Sequence, residues 1–155
     1  MKKGIFSVII LFCCSLVFSG CIKNTPYVTT INPYLTASIG TYAFTSATVV
    51  PATVDSQLND TSTALYITGN SSDVAFPHDR IVLWIQNYKG LTGVKSIVAG
   101  SAGAYYVHDN NPPDLALGGI VAITKITSNS ITGYFNFNTA SGLVITNGLF
   151  TVGKP

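Results

Sequence analysis

Residues 119–138, with the sequence GIVAITKITSNSITGYFNFN, carry the clearest structural pattern in the chain. They predict two antiparallel strands, 119–126 and 130–138, joined by the polar turn Thr127-Ser128-Asn129. In the second strand, one face carries Ile131, Gly133, Phe135 and Phe137, and the other carries Thr132, Tyr134, Asn136 and Asn138. Because successive side chains of a strand point to opposite faces, this alternation predicts a strand with one apolar and one polar face.

The last predicted strand, 143–152, contains a change of phase. Leu143 and Ile145 share one parity, whereas Phe150 and Val152 share the other. One extra residue at Asn147-Gly148 would restore the alternation, which predicts a β-bulge with a left-handed glycine. The alternative is a hairpin turn at Asn-Gly. That turn would leave only a short final strand, so the sequence favours the bulge.

Shorter strand patterns, separated by polar loops, precede this region. A hairpin is predicted over 35–45, with Gly40 supplying the positive φ of a type II turn after Ile39. Further strands are predicted at 63–68, 80–86 and 104–107, and loops at 51–62 and 108–114. The segment 80–86 is apolar on both faces, which predicts a central strand covered on both sides.

The composition favours strands over helices. All 6 acidic residues are Asp, which prefers turns, and the helix-favouring Glu does not occur. Thr, Val, Ile, Tyr and Phe, which are enriched in strands, are abundant. The sequence therefore predicts an all-β protein, either a single antiparallel β-sandwich or a partly closed β-barrel, of about seven to nine strands.

The N-terminal segment has the pattern of a bacterial export signal. Lys2 and Lys3 precede an uncharged apolar run over 5–18 that is too short to span a bilayer comfortably. Phe18-Ser19-Gly20-Cys21 then resembles a lipobox, in which a peptidase cuts before a cysteine that carries diacylglycerol. We therefore predict a lipoprotein signal peptide at 1–20, lipidation of Cys21 by diacylglycerol and palmitate, a flexible tether at 21–33 and an antiparallel β domain at 34–155.

Charge and cysteine content limit the possible partners and the source of stability. Loss of Lys2 and Lys3 with the signal would leave equal numbers of basic and acidic residues, so the formal charge of +2 belongs to the signal. Phosphate binding rests on clustered Lys and Arg, so no nucleic-acid partner is expected. Cys13 and Cys14 would also be removed. Cys21 alone cannot form an internal disulfide, so the fold must rest on a hydrophobic core.

Similarity to a known group is concentrated in LTASIGTYAF (35–44), GIVAITKI (119–126), ITGYFNF (131–137) and VITNGLF (144–150). These segments resemble uncharacterised Bacteroidetes lipoproteins, classed as domains of unknown function, although relatives often have Asn-Gly in place of Ile39-Gly40. The resemblance implies an antiparallel β domain on a lipid anchor and implies no activity. Surface-exported lipoproteins of this phylum tend to have an acidic cluster after the lipidated cysteine. This chain lacks one after Cys21, which favours the outer membrane facing the periplasm over the cell surface.

Two His-Asp pairs, His78-Asp79 and His108-Asp109, contain the 2 histidines of the chain. Both pairs lie in or beside predicted loops and could meet at one end of a β domain. Two imidazoles and two carboxylates are ligand types of zinc or another transition metal, but the spacing matches no tight metal motif. The structural alternatives are a turn cap for Asp109 and an ion pair with Arg80 for Asp79. These four residues are metal candidates only, and no cofactor or catalytic residue is assigned.

Three functions stay open at this point. No nucleophile elbow or facing pair of carboxylates points to catalysis, and the uncharged face around Tyr134 suits a protein, a sugar or solvent. The favoured function is therefore a non-enzymatic binding or structural module for an envelope protein or glycan. A carrier of a small apolar ligand in a β-barrel is the first alternative. A metal-dependent hydrolase that uses the His-Asp pairs is the second.

Overall fold

The computed structural model describes residues 31–55, 63–88 and 91–154, which form nine strands and no helix. The strands are β1 (Tyr34–Ile39), β2 (Tyr42–Asp55), β3 (Thr63–Ser71), β4 (Arg80–Ile85), β5 (Gly93–Ser96), β6 (Ala102–Val107), β7 (Asp114–Ile126), β8 (Ser130–Thr139) and β9 (Val144–Gly153). The all-β prediction is confirmed. The predicted signal peptide, Cys21 and most of the predicted tether lie outside the described residues. Within the described residues, no helix is long and apolar enough to cross a membrane.

Eight strands form a ring in the order β1-β2-β3-β4-β6-β7-β8-β9, with every neighbouring pair antiparallel. The ring closes between β6 and β7 through only two residue pairs, Tyr105–Leu115 and Tyr106–Asp114. Strand β5 pairs with residues 120–123, farther along the same edge of β7. The protein is therefore a partly closed barrel, the second of the two architectures that the sequence left open.

The inward faces of the strands fill this barrel with apolar side chains. In β8, Ile131, Phe135 and Phe137 are buried whereas Asn136 and Asn138 are exposed, as the alternation predicted. The largest fully buried side chains are Phe44, Phe135, Phe150, Leu35, Leu65, Ile67, Ile81, Leu83, Ile85, Ile131, Ile145 and Val121. They belong to one packed cluster. A cleft that could hold a ligand is found at an end of the barrel rather than among these side chains.

Two local predictions are wrong. Residues 51–55 were predicted to lie in a loop, but they continue β2, with Pro51 opposite Ile67 of β3. This part of β2 pairs with β3 only, so Pro51 lies on an open edge, where a missing N–H is tolerated. The turn after β1 is Gly40-Thr41. Gly40 has its φ of 57° at the first central position, as in a type II′ turn, and not at the second as predicted.

The bulge in β9 is confirmed. Phe135 lies opposite Gly148, whereas Phe137 lies opposite Ile145, so β9 has one more residue than β8 between these pairs. The left-handed residue is Asn147, with a φ of 50°, and not the glycine after it. Asn is one of the few residues that adopt this conformation at modest cost. A side chain at Gly148 would lie 2.6 Å from the ring of Phe135, so glycine is needed there for close packing.

Four connections converge at one end of the barrel: β1–β2, β3–β4, β6–β7 and β8–β9. Asp114, at the start of β7, fastens two of them, because its carboxylate accepts the Ser141 hydroxyl at 2.5 Å and the Ser141 N–H at 3.1 Å. Burial alone would raise the pKa of Asp114, but hydrogen bonds from Ser141, Thr139 and Ala140 lower it below its ordinary value. These connections form the rim around the site described next.

Candidate binding site at the open end of the barrel

A cleft of about 260 Å³ opens inside the rim. It is lined by Ile39, Tyr42, Phe76, Asp79, Tyr106, His108 and Leu143. Most of its wall is apolar or aromatic, and its polar side chains are few and close together. Ligand sites in proteins commonly have this composition and volumes of roughly 300–1,000 Å³. This cleft, called the mouth cleft below, therefore suits a small molecule or one end of a longer one.

Strand pairing explains why the polar side chains meet. Ile81 of β4 lies opposite Tyr106 of β6, and both point into the barrel. Asp79 and His108 each lie two residues farther toward the rim, so they continue the same inward-facing rows. Asp79 and His108 are 29 residues apart in the chain, and the neighbouring positions of β4 and β6 bring them together.

Asp79 is the centre of this polar group. Its side chain is 1 % exposed, yet both carboxylate oxygens are satisfied. Oδ2 accepts the Tyr106 hydroxyl at 2.5 Å, and Oδ1 accepts Nδ1–H of His108 at 3.0 Å and the backbone N–H of Asp109 at 2.8 Å. A buried carboxylate is stable only with such partners. Asp79 therefore serves to fix Tyr106 and His108 in place.

The phenols of Tyr106 and Tyr42 both have raised pKa values. Burial raises the pKa of Tyr106 far above its ordinary 10.0, and the hydrogen bond to Asp79 and the charge of that carboxylate raise it further. Burial also raises the pKa of Tyr42, an effect that the hydrogen bond with Ser71 opposes and the charges of Asp73 and Asp79 reinforce. The Tyr106 hydroxyl already donates its hydrogen to Asp79, so this hydrogen is not offered to a ligand in the cleft.

An aromatic wall faces this polar group across the cleft. The ring of Phe76 contacts Tyr42 edge-on, with centroids 4.9 Å apart, and lies 5.8 Å from the His108 ring. Phe76 belongs to the β3–β4 loop, whose turns are held by hydrogen bonds from Phe76 N to Asp73 O and from Asp79 N to Phe76 O, both 3.2 Å. The loop therefore holds an exposed phenylalanine over the opening of the cleft.

His108 is the polar residue that a ligand can reach. Its side chain is 53 % exposed. Because Nδ1–H is donated to Asp79, the neutral ring carries its free lone pair on Nε2. Nε2 has no hydrogen-bond partner among the described residues. Nε2 is thus free to accept a hydrogen bond, and His108 is one of the residues that line the cleft.

The structure does not keep the two His-Asp pairs of the sequence together. It places one residue of each pair in the mouth cleft and the other residue in a second cleft. Asp79 contacts His108 at 3.0 Å, and no ion pair joins Asp79 to Arg80 in the described part of the chain, so the predicted pairing of Asp79 with Arg80 is wrong. His78 and Asp109 instead line a separate cleft on the outer side of the rim. No group of three or more His, Cys, Asp or Glu residues that could hold a metal occurs in the described ranges.

Sequence reasoning placed neither Tyr106 nor Phe76 among the candidate site residues, although Tyr106 was one of several aromatic residues that could line a groove. A signal for Tyr106 was available, since residues two apart on a strand share a face and Tyr106 lies two residues before His108. Phe76 lies in a loop, where alternation gives no information. Its place over the cleft follows from the turns of residues 73–79.

Comparison with known proteins adds no relative to this description. No protein-family model matches the chain, and neither the curated proteins nor the solved structures show a significant match. The resemblance to Bacteroidetes lipoproteins therefore stays a prediction from the sequence. The case for function rests on the site itself.

Proposed function

We propose that this protein is a non-enzymatic binding module, lipid-anchored through Cys21 in the outer membrane and facing the periplasm. We propose that its ligand is a small, mainly apolar molecule with one hydrogen-bonding group, bound in the mouth cleft. The anchor and location are supported by the lipobox-like sequence that ends at Cys21. The observation that carries the binding role is the half-exposed His108, whose ring is oriented by buried Asp79 at the wall of an apolar cleft.

The composition of the cleft selects the class of ligand. Ile39, Phe76 and Leu143 offer apolar surface, and each square ångström that a ligand removes from water contributes about 25 cal/mol. Nε2 of neutral His108 accepts a hydrogen bond, which favours a hydroxyl or N–H group on the ligand. The Asp79 side chain is 1 % exposed and its oxygens already accept three hydrogen bonds, which leaves little of the carboxylate for direct contact with a ligand.

The Asp79–His108 pair has the arrangement of the two supporting members of a catalytic triad. In such a triad, Nε2 of the histidine lies within hydrogen-bond reach of a nucleophile. No serine, threonine or cysteine in the described residues makes that bond to His108. The geometry therefore favours binding through His108 over nucleophilic catalysis.

The proposal can be tested by saturation-transfer NMR with phenol and 1-hexanol as probes and benzene as the probe without a donor. We expect phenol and 1-hexanol to bind more tightly than benzene. His108→Ala should weaken phenol binding at least fivefold, and Phe76→Ala should weaken all three probes. His78→Ala is the matched control, because His78 lies outside the mouth cleft, and it should change nothing. Absence of binding by every probe, or equal binding to His108→Ala, would refute the proposal.

A further inference from the structure

The outer face of β3, β4 and β6 carries a second set of side chains with binding potential. The pairing of β3 with β4 and of β4 with β6 places three rows of neighbouring residues on this face: Tyr66–Trp84–Gly103, Thr68–Val82–Tyr105 and Asn70–Arg80–Val107. The inward face of the same strands contains core residues such as Ile81 and Leu83. The outer rows therefore lie on the opposite side of the strands from the core cluster and outside the mouth cleft, and within them Val82 and Val107 are buried.

One end of this face is an aromatic platform formed by Tyr66, Trp84 and Tyr105. All three rings are half-buried, with the Trp84 centroid 6.5 Å from Tyr66 and 6.4 Å from Tyr105. The Trp84 ring lies over Gly103, where any side chain would collide with it. Glycine at position 103 thus allows the indole to lie against the sheet.

The other end of the face is a polar cleft of about 340 Å³. It is lined by Asn70, Pro77, His78, Arg80, Val107, Asp109, Asn110 and Asn111. Arg80 has no ion-pair partner among the described residues, and the cleft that it lines also contains one carboxylate, that of Asp109. The cleft is therefore close to neutral and rich in groups that both donate and accept hydrogen bonds.

We propose that the aromatic platform and the polar cleft together bind a neutral glycan chain. A sugar ring has an apolar C–H face, which packs on an aromatic ring, and hydroxyls at its edge, which amides and guanidinium groups bind. Arg80 and Trp84 lie four residues apart on β4, about 13 Å at the usual rise of a strand. That distance exceeds the length of one sugar ring, so the face fits an oligosaccharide rather than a monosaccharide.

The near-neutral charge decides against the other classes of polymer. A nucleic acid or an acidic polysaccharide needs clustered cations, and the cleft contains the single Arg80 together with the carboxylate of Asp109. An apolar protein partner would gain little from the polar cleft, where three asparagine side chains and one imidazole would lose water. A hydroxyl-rich neutral polymer replaces those water contacts by its own.

Trp84 is the only tryptophan of the 155 residues and gives a direct signal. The test is a fluorescence titration of the full chain with cellohexaose, laminarihexaose, maltohexaose and chitohexaose. We expect a saturable change of Trp84 emission with at least one of them, and a much weaker response to the matching monosaccharide. No change with any of the four hexasaccharides would overturn the proposal.

Variants of the outer face test where the glycan binds. Their affinity for the hexasaccharide that binds is measured by calorimetry. Trp84→Ala should weaken binding at least tenfold, Trp84→Phe by less, and Asn111→Ala about threefold. Tyr134→Ala is the matched control, since Tyr134 is a half-buried tyrosine on β8, away from this face. Trp84→Phe and Tyr105→Ala serve if Trp84→Ala does not fold. Unchanged affinity in the platform variants, or an equal loss in Tyr134→Ala, would overturn the proposal.

Discussion

Removal of the Asp79 carboxylate provides the sharpest test of the site. Asp79→Ala deletes the acceptor of three hydrogen bonds. His108 is half exposed and can turn its N–H toward water. Tyr106 is 4 % exposed, so its hydroxyl cannot reach water in the same way. A buried donor left without an acceptor costs about 1–3 kcal/mol, and breaking a buried charged group's contacts about 3–5 kcal/mol. We expect Asp79→Ala to lower the free energy of unfolding by about 3–4 kcal/mol.

A double-mutant cycle separates this hydrogen bond from general damage. Tyr106→Phe leaves Oδ2 of Asp79 without its donor and should cost about 2 kcal/mol. Removal of both polar partners leaves neither group unsatisfied. The double variant should therefore be more stable than the sum of the single effects predicts, by at least about 1 kcal/mol.

The assay is urea unfolding followed by Trp84 fluorescence, with Asp73→Ala as the control, because Asp73 is a half-buried aspartate whose carboxylate accepts a hydrogen bond from Ala75 N–H. Spectrophotometric titration of Asp79→Asn supplies a second measurement. The pKa of Tyr106 should fall in this variant, because the hydrogen bond and charge of Asp79 are lost, but it should stay above 10.0, because burial remains. In the wild type, the unfolded phenol loses its proton first, so stability should decrease as the pH rises above 10.0.

Two results would refute this account of Asp79. One is a loss in Asp79→Ala no larger than that in Asp73→Ala. The other is strict additivity in the cycle with Tyr106→Phe, which would mean that the short Tyr106–Asp79 hydrogen bond contributes nothing to stability.

Four further predictions concern the fold and the anchor. Gly133→Ala should lower the free energy of unfolding by about 3 kcal/mol, because the new methyl group would collide with a backbone carbonyl of β7. Gly153→Ala is the control and should be neutral in the same denaturation assay, because the methyl group would enter open space. Asn147→Val should cost about 1–2 kcal/mol and Asn147→Gly almost nothing, since φ at this position is positive. The pKa of Asp114 is lowered, so the ionised carboxylate contributes fully to stability above pH 3.8, and this contribution is lost as the pH falls through the lowered pKa. Asp114→Asn should remove this acid dependence in pH-dependent denaturation. The contribution is less than about 1 kcal/mol, because Asp114 is largely accessible to solvent. Cys21→Ala should abolish labelling with radioactive palmitate and release the protein from the membrane fraction; labelling that persists would contradict the lipid anchor.

Alternation located the strands whose two faces differ in environment. In β8, the predicted apolar face is the buried face, and in β9 the change of parity located the bulge. The alternation of apolar and polar residues did not predict strands that lack one clearly buried face. Residues 51–55 carry a proline and pair along one edge, and the short exposed β5 has no strand pattern of its own.

The sequence identified Asp79 and His108 as candidates but paired each with its neighbour in the chain. Consecutive residues at a strand end point to opposite faces, so Asp79 and His78 could not share a site on one face. The true partner of Asp79 is 29 residues away, because β4 pairs with β6 and β5 is left outside the ring. No local pattern encodes that choice of neighbour.

The sequence by itself determined strand character, the inward and outward faces of β8 and the position of the bulge, because these depend on residues that are close together in the chain. The lipid anchor is a prediction of the same local kind. Only the tertiary structure decided between sandwich and barrel, since closure depends on two residue pairs between β6 and β7. It also decided the composition of the mouth cleft and of the outer aromatic face, because both are formed by side chains from strands that meet only after the sheet has curved and paired.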